Sequence, residues 1–319
     1  MSKGGAGMTV LMLLAVSACG GSGGGRSFLS FGLAPTGGAF FVVGSALVEV
    51  LNGDEDESWN VTPEATSGSQ ENIRRLASGE LDFALSNASI TYFAARGSEG
   101  WDREYPVRSV MTLAPNVTVF VTQASSGVKT MGDLRGRRVV IGPAGAGFEY
   151  FVRPLLQAHG IAYGDFTELN ASQSAAVDML ADGAAAAALL GGAVPTASIT
   201  QASSSMDVFF VPYDPDALDG LASEYVFFEP ATIPAGTYRN QAEDFRGLNV
   251  GSMHIITSAD QDEDLVYRVT RALYENREQV MQRHAAGAAI NPTNVGKDTG
   301  TPFHPGAVRY YREIGIWSE

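Results

Sequence analysis

Short apolar segments alternate with longer amphipathic segments along almost the whole chain, and this alternation constrains the fold more than any other feature. Segments 27–33 and 107–113 have the length of buried strands, whereas segment 39–51 carries apolar residues at helical spacing. Helices are also predicted at 69–77 and at 261–285, the latter starting with the capping box Ser258-x-x-Gln261. Such alternation is typical of open, mostly parallel sheets covered by helices. Because 319 residues exceed what one core usually contains, we predict an α/β protein with two lobes.

A break between two apolar segments marks a place where the chain could pass from one lobe to the other. Ala114-Pro115-Asn116 separates two predicted strands, and we place the first crossing there. The return is predicted near residues 225–229. The interpretation is therefore two Rossmann-like α/β lobes joined by a two-crossing hinge, with a ligand in the cleft between them. The predicted ranges are 26–114 plus 226–319 for lobe 1 and 115–225 for lobe 2.

Residues 1–25 have the pattern of a lipoprotein leader. Lys3 precedes an apolar run, which ends in the lipobox Val16-Ser17-Ala18-Cys19 and is followed by the glycine-rich tether 20–25. We expect Cys19 to carry a diacylglyceryl group that anchors the protein to a membrane in the periplasm, without a spanning helix. The alternative is a buried free thiol. Since Cys19 is the only cysteine of the chain, no disulfide is expected.

Charge and motif spacing argue against several classes of function. The chain has 21 Lys and Arg against 35 Asp and Glu, and no basic stripe, so nucleic acid is not expected as a partner. The four histidines lack metal spacing, and no phosphate-binding loop is present, so we expect no metal and no cofactor. A G-x-S-x-G match lies in the tether at 20–24, where no strand precedes it. These residues therefore reveal no catalytic site.

Five polar or glycine-rich turns each follow a predicted strand and precede a predicted helix. They are 34–41, 66–72, 85–89, 142–148 and 191–196. Helix starts favour anions, and glycines allow backbone N–H groups to approach a ligand closely. Each turn by itself could simply be a tight turn or a helix cap. Five of them on the same edges of two sheets predict a binding site.

These turns and two later motifs resemble the solute receptors of TRAP transporters, specifically the TAXI group, which have the type 2 periplasmic binding protein fold. The matching segments are Thr36–Phe41, Glu64–Asn72, Leu76–Ala84, Ile233–Tyr238 and Phe303–Gly315. The resemblance extends over nearly the full length. The last motif is long, and we interpret it as structural, joining the tail to the first lobe.

The resemblance implies a monomeric receptor, not an enzyme, that closes over a small organic acid, such as glutamate, and delivers it to the membrane subunits of a TRAP permease. It also implies which residues bind the solute. These are Thr36, Gly38, Phe40, Thr66, Ser69, Asn72, Ser86, Asn87, Gly145, Gly147, Phe148, Pro195 and Thr196.

One departure from the family pattern bears on the solute. The family usually has G-S-G-T where this chain has Gly145-Ala146-Gly147-Phe148, so two hydroxyl groups are replaced by a methyl and a phenyl group. We therefore expect a solute that is less polar at one end than glutamate, or aromatic. Two other functions remain open: a sensory receptor of the same fold that signals to a membrane partner, and a secreted hydrolase, which would require a nucleophile beside a base.

Overall fold

The computed structural model describes Met1 and residues 27–36 and 38–317. The predicted leader, the tether and the lipidation site Cys19 lie outside these residues. The described residues form two β-sheets with helices packed on them. The strands are β1 (Ser27–Gly32), β2 (Trp59–Glu64), β3 (Phe83–Asn87), β4 (Val107–Thr112), β5 (Val117–Gln123), β6 (Arg138–Gly142), β7 (Thr167–Asn170), β8 (Ala187–Gly192), β9 (Val208–Val211), β10 (Glu229–Ile233), β11 (Phe245–Asn249) and β12 (Met253–Ser258).

Ten α-helices connect and cover these strands within the described part of the chain. They are α1 (Ala39–Asn52), α2 (Ser69–Ala77), α3 (Ala88–Ala94), α4 (Glu149–Ala158), α5 (Gln173–Ala181), α6 (Ala197–Ser205), α7 (Pro215–Glu224), α8 (Glu263–Glu275), α9 (Arg277–Arg283) and α10 (Pro305–Glu313). Short 3-10 helices lie at Met131–Leu134 and Ala285–Ala289.

The first sheet has the strand order β2-β1-β3-β12-β4 and forms lobe 1. β1 pairs in parallel with β2 and β3, and β12 pairs antiparallel with β3 and β4. Phe31 and Phe83, on neighbouring strands, are buried with Leu47 of α1 and Tyr311 of α10 in one apolar cluster. The parallel strands β1, β2 and β3 each lead into a helix, so the starts of α1, α2 and α3 lie at the same edge of the sheet.

The second sheet has the order β10-β11-β5-β8-β6-β7, with β9 also pairing to β5, and forms lobe 2. β11 pairs antiparallel with β5, and β10 pairs antiparallel with β11, so β10 and β11 both belong to lobe 2. The predicted return to lobe 1 near residue 226 is therefore wrong, and lobe 2 extends from Val117 to Asn249. The sequence signal for strand β10 was weak because the strand contains Pro230. Proline is tolerated there because β10 lies at the edge of the sheet.

The two crossings between the lobes lie side by side and are hydrogen-bonded to each other. The N–H of Asn116 donates to Oδ1 of Asn249 at 2.9 Å, and the N–H of Val250 donates to the carbonyl of Asn116 at 3.0 Å. The N–H of Met253 donates to the carbonyl of Ala114 at 2.9 Å. The predicted first crossing at 114–116 thus forms the hinge together with residues 249–253.

The carboxyl-terminal part of the chain returns to lobe 1 and packs there. The long helix expected at 261–285 is instead two helices, α8 and α9, which meet at Asn276, and Asp262 rather than Ser258 caps α8. α10 packs on α8, and the hydroxyl of Tyr311 donates to the carbonyl of Val110 in β4 at 2.9 Å. The terminal motif therefore has the structural place that its sequence suggested.

Candidate functional site

A cavity of about 100 Å³ lies between the two lobes, at the edge where the strand-to-helix turns of both sheets meet. Lobe 1 contributes three turns, and lobe 2 contributes the turns after β6, β7 and β8. The lining residues are Ala34, Pro35, Thr36, Gly38, Ala39, Phe40, Ser67, Gly68, Ser69, Asn87, Ile90, Asn116, Pro143, Ala146, Phe148, Phe151, Ser172, Gln173, Ser174 and Gly191.

Three helices begin at the cavity with unused backbone donors. The N–H groups of Ala39 and Phe40 in α1, Ser69 in α2, and Gln173 and Ser174 in α5 have no acceptor within the described part of the chain. Each of these residues lines the cavity. Unpaired first-turn N–H groups and the helix dipole produce positive potential at a helix start. The arrangement therefore suits a ligand that accepts hydrogen bonds and carries negative charge.

The turn before α2 brings the two lobes close together. Gly68 has φ +120°, in the left-handed region that favours glycine, and its N–H donates to Oγ1 of Thr66 at 3.2 Å. A Cβ placed on Gly68 would lie 3.5 Å from Cβ of Ala146 in lobe 2. The hydroxyl of Ser69 accepts from the N–H of Asn87 at 2.9 Å, which ties the start of α2 to the end of β3.

Apolar side chains form the opposite wall of the cavity. Phe148 and Phe151 project from the start of α4, with ring centroids 5.2 Å apart, and Ile90 of α3 faces them from lobe 1. Gly142 makes room for this wall, because a Cβ placed there would be 2.1 Å from the ring of Phe148. The structure places the ring of Phe148 on the cavity surface.

The predicted ligand-binding residues divide into two groups by position. Six line the cavity and are brought together from both lobes: Thr36, Gly38, Phe40, Ser69, Asn87 and Phe148. Seven do not line it: Thr66, Asn72, Ser86, Gly145, Gly147, Pro195 and Thr196. The turn after β8 approaches the cavity at Gly191 rather than at Pro195 or Thr196.

Two residues of the second group, Asn72 and Ser86, are buried behind the turns and form hydrogen bonds there. The side-chain amide of Asn72 is fully buried and donates to the carbonyls of Leu33 and Leu85, both at 2.8 Å. Ser86 is buried and accepts from the hydroxyl of Thr91 at 2.7 Å. A polar residue at a strand end faces either the cleft or the sheet interior, and the motif alone does not distinguish the two.

The loops of lobe 2 place their four remaining predicted residues away from the cavity. Gly147 is buried against Ile90, and Gly145 is exposed on the outer side of its turn. Pro195 is exposed, and its peptide bond with Val194 is cis. The N–H of Thr196 donates to the hydroxyl of Tyr238 at 2.8 Å, which holds the start of α6 against lobe 2.

Asn116 was not among the predicted binding residues, although its position in the hinge was recognised. It lines the cavity and is only 7% exposed. Its backbone is bonded to the second crossing, whereas its side-chain amide has no hydrogen-bond partner within the described part of the chain. A buried amide normally has partners, so this side chain has free capacity toward the cavity. A polar residue at a lobe crossing was the available sequence signal.

Gln173 and Ser67 were also missed. The side-chain amide of Gln173 is engaged with the backbone of Gly191 at 2.8 and 3.1 Å, so it joins the turns after β7 and β8. The N–H of Ser67 donates to Glu71 at 2.8 Å, and this hydrogen bond is the main cause that lowers the pKa of Glu71. The charge of Glu71 is thereby held at the outer side of the turn, beside Arg75 at 3.7 Å.

No lining residue carries a charged side chain, as far as the chain is described. His254 is a fully buried titratable group of lobe 1 that does not line the cavity, and it contacts Thr91 through Nε2 at 2.8 Å. Burial lowers the pKa of His254 to about 3, so the ring is neutral at physiological pH. Fixed dipoles rather than ionised side chains therefore dominate the potential inside the cavity.

The lobes touch each other beside the cavity. Nε2 of Gln70 in α2 donates to the hydroxyl of Tyr150 in α4 at 3.0 Å. The ring of Tyr150 stacks on Trp101 with centroids 5.5 Å apart and lies 6.2 Å from Phe93, both residues of lobe 1. These contacts correspond to a closed arrangement of the cleft.

Neither a metal cluster nor a membrane-spanning helix is found where the structure describes the chain. No group of three or more His, Cys, Asp or Glu side chains there could hold a metal ion. None of the described helices is long and apolar enough to cross a bilayer.

Comparison with solved structures identifies the fold. PhnD1 from Prochlorococcus marinus, in complex with methylphosphonate, is 11% identical, with 91% of this chain and 96% of that chain covered and a TM-score of 0.56. A Bordetella bronchiseptica protein is 12% identical, with coverage of 92% and 90% and a TM-score of 0.56. A Xanthomonas citri protein bound to ATP is 12% identical, with coverage of 91% and 97% and a TM-score of 0.53.

These similarities and the two-sheet topology show the type 2 periplasmic binding protein fold, as the sequence predicted. The family model described as the NMT1-like family matches residues 31–315, which is almost the entire described chain. The chain belongs to the NMT1-like family.

Proposed function

We propose that this protein is an extracytoplasmic solute-binding receptor that captures a small organic acid between its two lobes. The observation that carries the proposal is the inter-lobe cavity, onto which three helices direct unpaired N–H groups. Such a site binds a carboxylate by hydrogen bonds and dipoles, without a counter-charge. Nothing in the cavity pairs a nucleophile with a base among the lining residues, so we propose binding without chemical conversion.

The comparisons support a receptor of this general type. PhnD1 was solved in complex with methylphosphonate and the Xanthomonas citri protein with bound ATP, so proteins of this fold accept anions. The cavity of about 100 Å³ has room for several water molecules, which suits a small acid rather than a nucleotide.

Binding closes the cleft because only in the closed form can a ligand contact both lobes at the same time. A solute that touches α1 and α2 of lobe 1 and α5 of lobe 2 stabilises the closed form by its differential affinity for that form. We propose that the membrane subunits of a TRAP permease recognise this form and receive the solute. In this proposal the receptor acts as a monomer, requires no cofactor, and is attached to the membrane in the periplasm through lipidated Cys19.

A thermal-shift panel tests the receptor function. The full chain is unfolded and refolded to remove bound solute, and it is then screened with monocarboxylates, dicarboxylates, keto acids, aromatic acids and amino acids. A ligand at 100 times its dissociation constant adds about 2.7 kcal/mol of stability. Ser69→Ala removes the hydroxyl that accepts from the N–H of Asn87 and so fixes the start of α2, and it should therefore displace the free N–H of Ser69 and reduce the shift, whereas Ser78→Ala, at the exposed end of the same helix, should preserve it.

The outcomes separate the proposal from its alternatives. A folded protein that shows no shift with any acid would contradict the receptor proposal. A shift that Ser69→Ala leaves intact would place the site elsewhere. Reconstitution with the permease subunits then tests delivery: solute uptake supports transport, and ligand-dependent binding to a membrane kinase without uptake supports the sensory alternative.

A further inference from the structure

We infer that the solute of this cavity is a monoanion with an apolar body and no ammonium group. We also infer that the side-chain amide of Asn116, in the hinge, forms a hydrogen bond with the polar end of this solute. The inference rests on the proposed receptor function and specifies the ligand class of the same site. It follows from which chemical groups line the cavity and which do not.

The absence of acidic side chains from the lining excludes an amino acid. Serine, threonine, asparagine and glutamine are the only polar side-chain types on the described cavity surface. An ammonium group bound there would lose its water shell and gain no carboxylate partner. It would also face the positive ends of α1, α2 and α5, which repel a cation.

The absence of basic side chains limits the ligand to one negative charge. The five free N–H groups of Ala39, Phe40, Ser69, Gln173 and Ser174 can accommodate one carboxylate. A second carboxylate would enter a cavity without lysine, arginine or histidine in its described lining. Two like charges enclosed without a cation repel each other strongly in a medium of low dielectric constant.

The apolar wall accounts for the rest of the ligand. Phe148, Phe151 and Ile90 present carbon surface on one side of the cavity, and Phe40 adds a further ring. Burial of aliphatic carbon against these side chains is favourable in proportion to the area removed from water. A short branched or unbranched hydrocarbon tail matches this wall and the small enclosed volume.

Asn116 supplies a polar contact that the helix starts do not. The residue is 7% exposed and lines the cavity, and its side-chain amide has no hydrogen-bond partner in the described residues. It also belongs to the first lobe crossing, where the N–H of Val250 donates to its carbonyl. A ligand that bonds the amide of Asn116 therefore contacts the hinge itself as well as both lobes.

Four acids of similar size test the inference in a two-by-two design. The acids 4-methylpentanoate and pentanedioate differ from leucine and glutamate, respectively, only by the amino group. Isothermal titration of the refolded full chain should give the tightest binding for 4-methylpentanoate. We expect leucine, pentanedioate and glutamate each to bind at least about 100-fold more weakly. The neutral amide, 4-methylpentanamide, should also bind at least about 30-fold more weakly, because it lacks the anionic head.

A nearly isosteric variant tests the role of Asn116. Asn116→Asp adds a negative charge to the cavity, so at pH 8 it should weaken 4-methylpentanoate binding by about 100-fold and strengthen leucine binding. Asn60→Asp makes the same change on the exposed surface of β2 and should leave both affinities unaltered. Circular dichroism verifies that each variant is folded.

Each other result overturns a defined part of the inference. If leucine, glutamate or pentanedioate binds as tightly as 4-methylpentanoate, the ligand class is wrong while the receptor function stands. If Asn116→Asp changes neither the affinity for 4-methylpentanoate nor that for leucine, Asn116 does not contact the ligand. If no acid of any class binds the folded protein, both the inference and the proposed capture of organic acids are wrong.

Discussion

Replacement of Tyr150 by alanine should weaken ligand binding by opening the contact between the lobes. The side chain is 6% exposed and makes two ring contacts and one hydrogen bond with lobe 1. Aromatic pairs contribute about 0.5–1.5 kcal/mol each and a neutral hydrogen bond about 0.5–1.5 kcal/mol. The variant should therefore lose about 1.5–4.5 kcal/mol of inter-lobe contact, or about 12- to 1,600-fold in the closure equilibrium.

Two measurements distinguish a closure contact from an ordinary core contact. Titration with 4-methylpentanoate gives the dissociation constant, and small-angle X-ray scattering gives the radius of gyration with and without ligand. If Tyr150 acts only in the closed form, the affinity falls and the melting temperature of the free protein changes little. A lower melting temperature with an unchanged dissociation constant would refute this reasoning, because the contact would then exist in the open form as well.

Milder variants isolate the hydrogen bond. Tyr150→Phe keeps both ring contacts and removes the hydroxyl that accepts from Gln70 at 3.0 Å. It should weaken binding by about 2- to 13-fold, in keeping with the loss of about 0.5–1.5 kcal/mol. Tyr163→Phe is the matched control, because its hydroxyl donates to Glu168 within lobe 2 at 2.9 Å and makes no contact across the cleft. Equal effects of the two variants would contradict the closure model.

Three further predictions concern the cavity wall and its support. Phe148→Thr restores a hydroxyl and should improve glutamate binding relative to the unmodified protein, as measured by titration; equal affinities would argue against the apolar wall. Burial lowers the pKa of His254 from its ordinary value of 6.5 to about 3, so the neutral ring contributes stability above pH 6.5 that is lost as the pH falls toward 3. The free energy of unfolding of His254→Gln, measured with urea at several pH values, should therefore fall less steeply in this range, by up to about 1.4 kcal/mol per pH unit. Asn72→Leu leaves the buried carbonyls of Leu33 and Leu85 without their donor, so the free energy of unfolding measured with urea should fall by about 2–5 kcal/mol. A decrease below about 1 kcal/mol would show that other groups donate to these carbonyls.

The sequence was a good guide wherever one element carried its own signal. Apolar periodicity located α1 within one residue of its observed end, and Ser69–Ala77 was predicted with its observed bounds. The two-lobe architecture followed because alternating strands and helices have few ways to bury both faces of a sheet. The helix predicted at 261–285 is two helices in the structure, which meet at Asn276. No sequence signal indicated this break, because neither a glycine nor a proline marks it.

Lobe membership of β10 and β11 depended on pairing partners that no local pattern specifies. Phe245–Asn249 is short and contains Gly247, yet it pairs with β5 through Leu248 and Asn249. A strand of this kind is stabilised by its neighbours rather than by its own propensity. Its place in the second sheet moves the return crossing from residue 226 to the neighbourhood of Val250.

The sequence by itself determined that two α/β lobes form and that glycine-rich and hydroxyl-bearing turns follow their strands. Only the tertiary structure decided which side chains of those turns reach the ligand. Asn72 and Asn87 both lie in motifs rich in polar groups, and both side-chain amides are bonded within the protein: Asn72 donates to two backbone carbonyls, whereas Asn87, although it lines the cavity, donates to the carbonyl of Gly251 and accepts from the N–H of Ser89. Asn116 became a candidate because the two crossings place its unpaired amide beside the cavity. Hydrogen-bond satisfaction is a property of the folded neighbourhood, so residue type and spacing do not reveal which polar groups remain free.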